Sequence, residues 1–172
     1  MKHLLFLVGF LVLIGTLIAC GEASNTNTGT TSASSPAATQ ASHQHFKVGE
    51  TVTIGNTWKV VVNSVKTDKG GQFSALKAGN TYLVVDISLT NISSQEQSIS
   101  SALNFTLQDA TGQKYTESID TNAGATPDGK VAAGSPLRGS IAYEVPASMK
   151  TFTLSFTPDI TASGQSIWDL KL

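Results

Sequence analysis

A chain of 172 residues has room for one ordinary domain with terminal extensions, since single domains run to roughly 100–200 residues. Its formal net charge of -1 offers no electrostatic footprint for nucleic acid, which requires a basic face or stripe. Charged residues make up 13%, about half the roughly 25% usual in soluble domains, so Ser, Thr, Asn and Gln must supply much of the wetted surface, and a single Cys rules out an intramolecular disulfide.

The chain opens on Met1-Lys2-His3, a short positive start. Leu4 to Leu17 follows, in which only Gly9, Gly15 and Thr16 interrupt Leu, Phe, Val and Ile. These are the n-region and h-region of a secretory signal peptide. Counted on to Ala19, the apolar stretch falls short of the roughly 20 residues a spanning helix needs, which favours cleavage over retention. Leu17-Ile18-Ala19-Cys20 resembles the lipobox of bacterial lipoproteins. That resemblance implies cleavage between Ala19 and Cys20, acylation of the Cys20 thiol, and membrane lipid as the partner of the N-terminus on the extracytoplasmic face. Several acyl chains, each contributing about 0.8 kcal/mol per buried CH₂, hold a protein on a membrane where one chain is marginal. An ordinary signal peptide with a chance Cys, or an uncleaved anchor helix, is the alternative.

From Gly21 to about His45 the chain is Ser, Thr, Asn, Ala, Gln and Gly with Pro36 and one charge, Glu22. Such a composition buries too little apolar surface to offset the entropy of ordering, so residues 20–45 are expected to be a disordered tether. About 25 flexible residues have an r.m.s. reach of roughly 25–30 Å. His43 and His45 could approach one metal ion from an extended chain, but two ligands on a floppy segment make a poor site.

From Phe46 to Leu172 the pattern changes to β-branched and aromatic residues at period two, broken by Gly, Asn, Asp and Pro. Strands are predicted at 51–54 and 58–65, the second with Trp58, Val60 and Val62 on one face. The stretch 81–91 is the strongest, with Leu83, Val85, Ile87 and Leu89 in phase. Leu103, Phe105 and Leu107 alternate next. Asp109-Ala110-Thr111-Gly112 makes a hairpin turn, and 113–116 returns. Ile141, Tyr143 and Val145 form a further face, stopped by Pro146. Phe152, Leu154 and Phe156 form another, stopped by Pro158, and Trp168, Leu170 and Leu172 end the chain. Seven to nine such strands predict an all-β, Ig-like two-sheet β-sandwich, with a small barrel as the other way to close the sheets.

Trp58-x-Val60-x-Val62, the run Tyr82 to Asn91, Phe105-x-Leu-x-Asp109-x-x-Gly112-x-x-Tyr115 and Gly139-x-Ile-x-Tyr-x-Val-Pro146 together resemble a family of Ig-like domains of unknown function. That family is common in lipoproteins and secreted proteins of Gram-positive and related bacteria, and is similar in fold to a secreted mycobacterial Ig-like antigen. The resemblance implies a sandwich fold and an extracytoplasmic location, and brings no agreed activity.

Triad hydrolysis and His/Cys zinc sites need an imidazole or thiol, and residues 46–172 contain neither His nor Cys. Carboxylates remain. Asp120, Asn122 and Asp128 lie in an oxygen-rich stretch that could bind a hard cation, although Gly124 and Ala125 break the helix-flanked calcium-loop template; the same stretch reads as a solvated loop. Asp86 falls on the face opposite Leu83, Val85, Ile87 and Leu89. It is either a groove carboxylate or an outward polar position. Arg138, the only arginine, is either a bidentate anion clamp or half of a structural salt bridge. Trp58 and Trp168 read as core anchors, while exposed Tyr82, Tyr115 or Tyr143 would suit a sugar or protein surface.

The function expected is a non-enzymatic, membrane-tethered binding module without cofactor, presenting loops or a sheet face to an envelope protein, glycan or small ligand. A structural spacer or accessory subunit of an envelope complex is the rival, and a calcium-dependent or carboxylate-based envelope enzyme is the third.

Overall fold

Strand backbones must place their N–H and C=O groups on neighbours, and the apolar runs from Phe46 onward are long enough to find partners. The computed structural model of the protein describes residues 44–159 and 165–172; the leader, Ala19, Cys20, His43 and the rest of the stretch ahead of Gln44 lie outside the described residues. Among the described residues, eleven strands and one helical turn follow in chain order. These are β1 (Gln44–Lys47), β2 (Thr51–Ile54), β3 (Trp58–Asp68), β4 (Asn80–Asn91), β5 (Gln97–Ile99), α1 (Ser101–Asn104), β6 (Phe105–Asp109), β7 (Lys114–Tyr115), β8 (Gly129–Val131), β9 (Pro136–Pro146), β10 (Thr151–Phe156) and β11 (Ser166–Lys171). No helix among them is long and apolar enough to cross a membrane.

The strands assemble into a five-stranded sheet, β1-β11-β10-β6-β7, a four-stranded sheet, β2-β3-β4-β9, and a two-stranded ribbon, β5-β8. All neighbours are antiparallel except β1, which runs parallel to β11. The architecture is the expected sandwich. Its strand count exceeds the expected seven to nine because β1, β5 and β8 are too short and too polar to show alternation. β1 also takes in Gln44 and His45, which the composition assigns to the tether, and His45 bonds Asp169 across the strand pair at 2.8 Å.

The two large sheets face each other through Val60, Val62, Leu83, Val85, Ile87, Leu89, Ile141 and Val145 on one side. Phe105, Leu107, Phe152, Leu154, Phe156, Trp168 and Leu170 answer from the other. Each large side chain taken fully out of water contributes about 1.5–3 kcal/mol before entropy is counted. Phe105 and Phe156 stack at 4.7 Å between ring centroids, and Phe46 meets Trp168 at 5.7 Å. In β3 the register slips between Val62 and Ser64. The bulge moves the inward phase by one residue, so Val65 rather than Ser64 packs on the core.

Two expectations are corrected. Leu103 is not in phase with Phe105 and Leu107: it sits in α1 and is 69% exposed. Tyr82 and Tyr143 are buried, and Tyr115 is half-buried, so no exposed tyrosine surface exists among these three. Tyr82 and Val84 lie on the outer face of β4 but are covered there with Ala142 by Leu76 and Ala123, which belong to two loops. Trp58 and Trp168 are core anchors, both almost wholly buried.

The β6–β7 turn is set by Asp109. One carboxylate oxygen accepts the Thr111 N–H at 2.8 Å, the Thr111 hydroxyl at 2.6 Å and the Gln113 N–H at 3.1 Å, and the other accepts the Tyr115 hydroxyl at 2.7 Å. Gly112 supplies the positive φ, +91°. The hydroxyls of Thr111 and Tyr115 are the main cause holding the Asp109 carboxyl at about 2. Because the folded value is depressed, this contribution is complete above the ordinary carboxylate range and fades as pH falls through about 2. NMR titration should place the Asp109 midpoint near that value, with Thr111 and Gln113 amides losing protection over the same acid window; an ordinary midpoint would contradict the assignment. Leu154→Ala should cost about 2–5 kcal/mol in urea unfolding, whereas Leu103→Ala should cost under about 0.5.

Candidate functional site

β9 pairs with β4 along its whole length, which leaves its other edge to be covered. Residues 117–128 do this as an irregular strap. Glu117 bridges Tyr143, the Ser118 N–H donates to the Ala142 carbonyl at 2.8 Å, and the Ser140 N–H donates to the Ala125 carbonyl at 2.9 Å. The approach is so close at Gly139 that a Cβ there would lie 2.4 Å from the Pro127 nitrogen and 2.6 Å from the Thr126 carbonyl carbon. Only glycine fits.

The strap carries the carboxylates singled out above, and it separates them. Asp120 turns toward the β3–β4 loop: its Oδ1 accepts the Asn122 N–H at 3.0 Å and the Ser74 hydroxyl at 3.3 Å. Its Oδ2 is buried with no hydrogen-bond partner among the described residues. The Asn122 side-chain amide donates to Asp68 at 3.0 Å. Asp128, at the far end, turns toward α1. The expected grouping of Asp120, Asn122 and Asp128 around one cation is therefore not formed, because a chain stretched along a strand edge points its ends at different neighbours.

Around Asp128 the structure builds a different cluster. Its Oδ1 accepts the Ser101 N–H at 2.6 Å, and both its oxygens lie 3.0 Å from the Ser101 hydroxyl, which also lies 2.6 Å from Glu117 Oε2. The Thr126 hydroxyl donates to Asp128 as well. Burial pushes the Asp128 carboxyl up, but the bonds from Thr126 and Ser101 outweigh it and leave the group below its ordinary value. Glu117 and Ser101 went unnoticed in the sequence because neither lies in a motif; only the strap brings them to Asp128.

Arg138 is occupied within the chain. Its Nε donates to Asp86 Oδ1 at 3.0 Å and a terminal nitrogen donates to Oδ2 at 2.6 Å, a bidentate pair that holds the Asp86 carboxyl below its usual range. The Asn63 amide joins Asp86 to Ser88. This is the structural salt bridge among the two alternatives, on the outer, half-wet face of the four-stranded sheet. Among the described residues, no group of three or more His, Cys, Asp or Glu side chains is arranged to hold a metal.

A groove of about 550 Å³ opens at the end of the sandwich where β1 begins. Ile54, Trp58, Ile99 and Pro158 give it an apolar floor, with Leu103 and Asn104 from α1 alongside.

Residues 46–167 match the family described as a domain of unknown function, DUF4352. The chain belongs to this family. No well-characterised protein matches its sequence significantly. Among solved structures, the DUF4352 fold is similar to a protein described as "a putative lipoprotein" of Bacillus subtilis, with TM-score 0.56 and 14% identity, covering 67% of this chain and 37% of that one. It is also similar to a β-sandwich protein of Clostridium difficile, with TM-score 0.55, 17% identity, and 80% and 100% coverage. A secreted protein of Mycobacterium tuberculosis, MPT63, gives 0.51, 15%, and 77% and 100%. At such identities the likeness establishes the sandwich fold. The chain spans little more than a third of the Bacillus protein.

Gly139→Val should force the strap off β9 at a cost of about 1–3 kcal/mol. Hydrogen exchange should then speed up at the Ser118 and Ser140 amides while the β3–β4 ladder stays protected; unchanged exchange at both would show that the strap does not depend on the close approach.

Proposed function

We propose that the protein is a lipid-anchored, extracytoplasmic and non-enzymatic binding module of the cell envelope. The observation that carries this reading is Leu17-Ile18-Ala19-Cys20 at the end of an apolar leader, ahead of a DUF4352 β-sandwich. Support for the location comes from fold neighbours of which one is described as "a putative lipoprotein" and another as secreted. Support for binding comes from the end groove, whose volume falls within the roughly 300–1,000 Å³ of typical ligand sites and whose apolar floor is bordered by polar side chains such as Thr57, Gln97 and Asn104. A domain free of His and Cys suits recognition better than nucleophilic catalysis. Anchoring raises the effective concentration of such a module near envelope partners without any new contact.

Cys20→Ser, expressed with an alkyne-tagged fatty acid, is the direct test. The natural protein should take the label and fractionate with membranes; the variant should remain unlabelled and either be released or keep its leader. Equal labelling and fractionation of the two would overturn the anchoring. Leu103→Asp tests the groove: if it leaves every phenotype of a domain deletion untouched, the domain is a spacer and not a binder through this surface.

A further inference from the structure

A hydroxyl carries one proton and can donate it to one acceptor at a time. The Ser101 hydroxyl, almost wholly buried, lies within 2.6–3.0 Å of oxygens from two different carboxylates, Glu117 and Asp128. Asp128 also accepts from the Ser101 N–H and the Thr126 hydroxyl, but all of these donors are neutral, and no lysine or arginine is paired with either carboxylate among the described ion pairs. A second feature points the same way. Tyr143 is 1% exposed, yet its hydroxyl has no hydrogen-bond partner among the described residues. It stands directly opposite Glu117 in an antiparallel bridge, so the two side chains leave the backbone on the same face. The charge of Glu117 reaches the phenol: after burial, it is what pushes the Tyr143 hydroxyl up from its ordinary value.

We propose that Glu117 and Asp128, with the hydroxyls of Ser101 and Tyr143, form a binding site for a hard divalent cation of the calcium type. The donor set is all oxygen and mixes two carboxylates with neutral hydroxyls, and calcium accepts six to eight oxygens in loose geometry, with water completing the shell. Magnesium demands a tighter octahedron and sheds water reluctantly, which this set does not meet. Two carboxylates place the affinity with the weak extracellular modules, at a Kd of about 10⁻⁴–10⁻³ M. The cation ties α1 and the strap together at the open edge of the sandwich. The site adjoins the end groove through α1 but shares none of its lining residues, and it stands or falls independently of the anchoring at Cys20.

The test uses the purified full-length chain in detergent, with terbium as a luminescent calcium substitute excited through the aromatic rings, and calcium added in thermal melts. Terbium emission should saturate, be displaced by calcium, and fall sharply in Tyr143→Phe, which removes a donor oxygen and a nearby antenna. Calcium at about 10 mM should raise the melting temperature by about 5 °C. Glu117→Gln and Asp128→Asn should each weaken binding at least about tenfold, while Asp120→Asn should leave it unchanged. Melting that is indifferent to calcium in the natural chain overturns the proposal without recourse to any variant. So does equal binding by Glu117→Gln, or a loss of binding confined to Asp120→Asn.

Discussion

A strand at the rim of a sheet leaves alternate N–H and C=O groups unpaired, and β9 is such a strand for eleven residues. The strap meets that need with backbone bonds at Ser118 and Ser140 and a bridge at Tyr143, without becoming a regular strand. Most of what is distinctive about the molecule follows from this edge. Glycine is required at position 139, Asp120 is turned to one end and Asp128 to the other, and Glu117 is brought to Ser101. A regular strand in the same place would alternate its side chains and send half of these polar groups into the core. The irregularity lets them collect at the margin.

A second demand comes from the ends of the sandwich, where strands stop and backbone groups must still be paired. Asn91, fully buried at the end of β4, answers it with its whole side chain. Its amide donates to the carbonyls of Gln95 at 2.7 Å and Val131 at 2.9 Å, while its oxygen accepts from the Ser93 N–H and hydroxyl. The β5–β8 ribbon is held by this hub and inserts Ile99 and Val131 into the core. A buried amide is tolerated only when satisfied in this way, since an unpaired buried polar group costs about 1–3 kcal/mol.

The long strands were legible because their two faces differ. Val60 and Val62, the four alternating residues of β4, and Phe152 to Phe156 all appear where period-two reading puts them. What escaped has a physical cause in each case. Gln97–Ile99 and Gly129–Val131 are three residues long, and three residues have no period. Leu103 looked like part of the Phe105 face because an apolar residue two positions upstream is indistinguishable by spacing from a strand residue; a helical turn had rotated it outward. Tyr82 was read as a surface candidate although loops fold back over it, and loop coverage leaves no trace in a strand's own sequence. At the candidate site, Asp128 was visible as one of several acids on a polar stretch. Its partners Ser101 and Glu117 were not, since the meeting depends on where the strap runs.

The parallel pairing of β1 with β11 has a mechanical consequence. Tension on the chain ahead of Gln44, directed along the strand, loads the β1–β11 ladder in shear, so its bonds share the force; a pull across the sheet would peel them one by one. Phe46, lodged against Trp168, adds friction to that sliding motion. Any such pull is therefore passed to β11 and the hydrophobic interior before the first strand slips, so a segment of only four residues resists it through the whole ladder.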